Sequence, residues 1–110
     1  MEKSLKFTPE LTKLIIEGFK TTTWRLFDDK NLLVGDILIL ATRDKSQVSN
    51  FAKAIIKDIK IRTLSTLQPE DYEGHEPSPN PLADYNKYYG DKVQSDSEVI
   101  VIKFKILEFL

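Results

Sequence analysis

Between Gly18 and Arg25 the chain reads Gly18-Phe19-Lys20-Thr21-Thr22-Thr23-Trp24-Arg25, which gathers an amine, three hydroxyls and a guanidinium in one short stretch. A threonine hydroxyl is inert near neutral pH unless a base sits beside it. A lysine serves as that base only when burial or positive neighbours bring its pKa from about 10.4 toward about 7–8. Amide cleavage by such a pair further needs a group that stabilises the oxyanion. Arg25 supplies a field that favours the neutral amine, whereas a carboxylate beside the lysine acts the other way. The forked donors of Arg25 also suit a phosphate or carboxylate, or a salt bridge at the end of a sheet. Later in the chain Glu70, Asp71, Glu73 and Glu76 form an acidic cluster, read either as a solvated turn or as the source of a site carboxylate. On a straight strand Lys20 and Thr23 point to opposite faces. They meet only if Lys20 still lies in the turn after Gly18.

The remaining composition narrows the chemistry. The 110 residues (12.7 kDa) carry 16 basic and 17 acidic side chains, a net charge of −1 and a pI near 5.8. This balance excludes a protein that coats nucleic acid through bulk charge, but not a local basic pocket. With no cysteine and one histidine, thiolate sites, disulfides and multi-histidine metal centres are excluded. No metal or other cofactor is expected. No apolar run reaches the ~18 residues of a membrane span, and the opening MEKSLKF has no signal-peptide core. The expectation is one cytoplasmic, monomeric domain with no membrane partner.

Several elements must position these residues. Thr8-Pro9-Glu10 reads as a helix start, followed by Leu11, Leu14, Ile15 and Phe19 at helical spacing and by Gly18 as a stop. Residues 20–26 read as a strand after a brief turn. Ile37 to Ala41 form a continuous apolar strand after the Gly35-Asp36 turn. An extended segment from Phe51 to Ile61 changes phase near Ile55-Ile56, which predicts a β-bulge. Gln68 to Gly74 reads as a helical turn, Leu82 to Tyr89 as a helix ended by Gly90, and the proline-rich stretch between them as irregular. Ile100, Ile102, Phe104 and Ile106 alternate with Val101, Lys103 and Lys105 in a final strand. Strands so numerous and close do not suit βαβ units. They suit a small, partly closed, mostly antiparallel β-barrel with short helices over its openings.

The order Gly18-Phe19-Lys20-Thr21-Thr22-Thr23-Trp24-Arg25, Gly35-Asp36, Glu73-Gly74, Tyr89-Gly90 and Val101-Ile102-Lys103-Phe104 resembles the ASCH domain family, a PUA-like β-barrel, over about residues 5–107. The resemblance implies an RNA or modified-nucleoside partner. Small bacterial members include an amidohydrolase that removes acetate from N4-acetylcytidine, using a Lys and a Thr of a Gly-x-Lys-Thr-x-Thr-x-Arg segment with a distant Glu. Carried over, those roles fall on Lys20, Thr23 and Glu73, with Glu70, Asp71 and Glu76 as competing carboxylates. Thr21, Arg25 and Tyr89 are the implied substrate or RNA contacts. A non-catalytic RNA-binding module and a small single-strand ribonuclease are the alternatives.

Each residue also has an ordinary role. Lys20 suits the negative end of the preceding helix. Trp24, of opposite parity to Thr23, is expected in the core. His75 is expected to be an exposed loop residue. Tyr85, Tyr88 and Tyr89 either wall a nucleobase pocket or pack a helix onto the barrel. Lys57, Lys60, Arg62, Lys103 and Lys105 read as a charged outer face.

Overall fold

A computed structural model describes residues 2–27 and 30–110. The elements are β1 (Glu2–Phe7), α1 (Pro9–Ile16), β2 (Thr22–Leu26), β3 (Ile37–Asp44), β4 (Gln47–Thr63), α2 (Pro69–Tyr72), α3 (Pro81–Tyr89) and β5 (Glu98–Phe109). The strands form one curled sheet in the order β1-β3-β4-β5-β2, a half-barrel.

Local chemistry accounts for most of these elements. Thr8 caps α1 by accepting the Leu11 amide at 3.3 Å, Pro9 opens the helix, and Gly18 beyond its end has a φ of 87°. The predicted irregularity in β4 is present: its register against β5 shifts between Ile56 and Asp58, and also between Lys53 and Ala54. Such bulges bend a long strand and let it serve both halves of the curl.

The sequence pattern did not call for a strand at the N-terminus. β1 runs there, parallel to β3, with Leu5 paired to Leu40 and Phe7 to Thr42. Only Leu5 and Phe7 of β1 turn into the core, too few to declare a period of two. The other strand pairs are antiparallel.

Two apolar clusters fill the curl. One joins Leu5, Phe7 and Ile15 to Leu38, Leu40, Ile56, Ile102 and Phe104. The other joins Trp24, Leu26, Leu64, Val93, Val99 and Val101, with Tyr85 and Tyr89 of α3 against it. The sheet's edges, β1 and β2, are joined by a side chain: Arg25 donates through Nη2 to the Lys6 carbonyl at 2.9 Å, and its guanidinium lies 4.7 Å from the centre of the Phe7 ring.

Candidate functional site

The Lys20 and Phe19 amides both donate to the Leu14 carbonyl, at 3.1 and 2.9 Å, so Lys20 belongs to the turn closing α1 and not to β2. This is the condition under which Lys20 and Thr23 can serve one site. The Lys20 side chain runs inward until 1% of it is exposed, the least accessible cation of any described ion pair. Its Nζ donates to the Thr22 carbonyl at 2.8 Å and to Glu76 Oε1 at 2.5 Å.

Glu76 arrives because the segment around α2 is stapled to the start of β2. The amides of Thr21 and Thr22 both donate to the Gly74 carbonyl, at 2.8 and 3.0 Å. Thr22 Oγ1 donates to the Glu73 carbonyl at 2.6 Å, and Trp24 Nε1 to the Asp71 carbonyl at 3.0 Å. Gly74 has a φ of +74°, and a Cβ there would fall 2.1 Å from Thr21 Oγ1. Only glycine permits this approach.

That reversal decides which carboxylate meets the lysine. Glu73 spends its carbonyl on Thr22 and turns its side chain outward, 79% exposed, with Lys103 Nζ 4.0 Å away. Glu76, beyond the left-handed Gly74, returns inward and takes the lysine. The carboxylate beside Lys20 is therefore Glu76 and not Glu73.

His75 also departs from its expected exposed position. Its side chain is 2% exposed, stacked on Trp24 with ring centres 3.7 Å apart and planes 14° off parallel. Its Nδ1 lies 2.7 Å from the Glu76 carbonyl, and its Nε2 lies 3.4 Å from Glu76 Oε1. A short histidine-glutamate pair after a glycine gives no periodic signal of burial. The one hint was that Gly74 preceded it.

Burial lowers the pKa of Lys20, and the Arg25 charge lowers it further, against the opposing pull of Glu76. Burial works to raise Glu76, but the adjacent lysine charge and hydrogen bond outweigh it and hold the carboxyl below its ordinary value. Burial, aided by the charge of Lys20, pushes His75 down to about 4. The pair thus rests with Glu76 ionised and His75 neutral.

Glu76 opens onto a cleft of about 610 Å³ between β2, α3, the turn after α2 and the start of α1. Thr23, Trp24 and Arg25 form one wall, His75 to Ser78 another, and Tyr85, Tyr88 and Tyr89 of α3 a third. Tyr85 donates to the Trp24 carbonyl at 3.2 Å and stacks with Tyr89 at 6.2 Å, so the ring wall is fixed in place. Burial pushes the Tyr85 hydroxyl pKa upward. Ser78, itself buried, donates to Asp84 at 2.6 Å on the far side. Of the residues assigned to catalysis or to substrate and RNA contact from the resemblance, Thr23, Arg25 and Tyr89 line the cleft. Lys20 lies behind Glu76, beneath the surface. Thr21 does not line it; this exposed residue has its amide on Gly74 and its carbonyl on the Phe104 amide. Trp24 is both a core side chain, 2% exposed, and a cleft wall. Arg62 and Lys103 of the charged outer face are tied to the α2 segment, through Asp71, Glu70 and the Glu70 carbonyl.

Among the described residues, no group of three or more acids and histidines could hold a metal ion, and no helix is long and apolar enough to cross a membrane.

No family model matches this chain, and no curated protein does. Solved structures do. The hypothetical protein PH0355 superposes with a TM-score of 0.72 at 22% identity, over 97% of this chain and all of its own. The ASCH protein of Zymomonas mobilis gives 0.72 at 15% identity, over 97% of this chain and 69% of its own. The ASCH domain of Lactobacillus crispatus gives 0.63 at 14% identity, over 99% of this chain and 80% of its own.

Proposed function

We propose, from the ASCH-like fold of this chain and the buried Lys20–Glu76 pair beside its cleft, that the protein binds a modified nucleoside and hydrolyses its amide, as in N4-acetylcytidine. The observation that carries this reading is the sealed lysine: an amine with a lowered pKa, one carboxylate partner, and a hydrogen bond to the carbonyl of the residue before Thr23. In this reaction Lys20 takes the proton of Thr23 Oγ1 as that oxygen attacks the acetyl carbon. The C–N bond then breaks, the proton passes to the leaving N4 amine, and water releases acetate from the threonine. Glu76 holds Lys20 in place and shares its proton. The rings of Trp24, Tyr85 and Tyr89 suit a flat base, and about 610 Å³ is ample for a nucleoside.

Arg25 has one arm committed to the Lys6 carbonyl, which leaves less of the guanidinium for a substrate. A second reading, non-catalytic RNA binding, is favoured by Lys6 and Lys87 at the borders of the cleft, where phosphates would lie.

One incubation separates the readings. Wild type and Lys20→Ala are given N4-acetylcytidine and single-stranded RNA, with folding checked by circular dichroism. The expected result is cytidine and acetate from wild type only. Salt-dependent RNA binding without acetate selects the second reading, and shortened RNA a ribonuclease. No product and no binding overturns both.

A further inference from the structure

His75 has a role that its solitary place in the sequence conceals. Of its two ring nitrogens, Nδ1 faces the Glu76 carbonyl, which can only accept, so Nδ1 carries the proton of the neutral ring. Nε2 is then a bare acceptor. It is buried, has no hydrogen-bond partner, and faces Glu76 Oε1 at 3.4 Å, the same oxygen that Lys20 holds. Trp24 stacked against one face and the tether to the Glu76 backbone leave the ring little freedom to turn away.

We propose that His75 is a positioning residue that acts through Glu76: while its Nε2 is bare, Glu76 is left to Lys20, and a proton on Nε2 makes it a rival donor for the same oxygen. Two basic nitrogens thus compete for one carboxylate oxygen. A charge on either opposes a charge on the other. The charged groups acting on the ring are Lys20 from the turn before β2, Glu76 beside it and Asp84 from α3. Lys20 disfavours the proton, whereas Glu76 and Asp84 favour it. This inference rests on the Lys20–Glu76 pair being the working centre, but its test requires no substrate.

The chain has one histidine, so the imidazole signals of the full-length protein can be followed by NMR across pH without ambiguity. The expected wild-type midpoint is about 4, well below the ordinary 6.5, with the proton on Nδ1 in the neutral form. Lys20→Met removes the opposing charge and moves the midpoint upward, whereas Glu76→Gln moves it further down. Because the unfolded chain binds a proton near 6.5 and the folded one near 4, stability is complete above 6.5 and is lost as pH falls toward 4. The unfolded fraction should rise about tenfold per pH unit through the middle of that window. His75→Phe keeps a ring on Trp24 and should abolish this dependence between pH 6 and 5, whereas a histidine with an ordinary pKa in the folded chain would leave the slope unchanged. A wild-type midpoint near 6.5, or one unmoved in Lys20→Met, overturns the proposal, and the wild-type measurement stands even if a variant fails to fold. An inactive protein with the expected titration would refute the amidohydrolase and leave His75 as assigned.

Discussion

Two of the ion pairs that hold the α2 segment, Lys20–Glu76 and Arg62–Asp71, are built in opposite senses. In Lys20–Glu76 the cation is sealed and the anion, 25% exposed, reaches the cleft. In Arg62–Asp71 the anion is sealed, at 0% exposure, and the cation reaches solvent. Asp71 Oδ2 takes both Arg62 Nε at 3.0 Å and the Gln68 amide at 2.7 Å, capping α2, while Arg62 also holds Glu70 at 2.8 Å. The hydrogen bond with Asp71 raises the pKa of Arg62 still higher, and a guanidinium does not release its proton in proteins. A buried lysine does. Comparable burial therefore yields a clamp in one pair and a titratable centre in the other.

Breaking each pair at its carboxylate sharpens the contrast. Glu76→Ala leaves Lys20 buried without a counter-charge and should cost about 3–5 kcal/mol in denaturant unfolding, less as pH rises and the amine deprotonates. If that cost is independent of pH, Lys20 is not titrating in the folded state. Gly74→Ala places a methyl group against Thr21 and forces a positive φ. A loss of about 2–3 kcal/mol is expected in thermal or urea melts, with Glu76 displaced from Lys20. Asp71→Ala removes the acceptor that caps α2 and holds Arg62, at a cost of about 1–2 kcal/mol by calorimetry. Glu73→Gln, at an exposed side chain, should stay within about 0.5 kcal/mol and leave turnover of N4-acetylcytidine unchanged. A large loss of turnover in Glu73→Gln with Glu76→Gln still active would return the catalytic carboxylate to Glu73.

The legible parts of the fold were those with local causes. Thr8, Pro9 and Gly18 bracket α1 through caps and dihedrals of the nearest residues. The alternation Ile100, Ile102, Phe104 and Ile106 announces β5. The bulge in β4 showed as a change of phase within a single strand. β1 was illegible because its pairing depends on β3, far along the chain, and because two inward residues make no pattern. In the site, Lys20, Thr23 and Arg25 stood out by type and spacing. The choice among four nearby carboxylates did not, since residues 73 and 76 differ only in which way the chain has turned after Gly74.

By itself the sequence determined the class, a small partly closed β-barrel, and the chemistry open to a chain with no cysteine and one histidine. These follow from composition and from short-range rules of caps, periods and turns. Tertiary structure alone decided that Glu76 meets the lysine, that His75 is buried on Trp24, and that Arg25 joins the two edges of the sheet. Each of those depends on segments distant in the chain meeting at the mouth of the curl, where burial and charge act across space and leave no trace in local order.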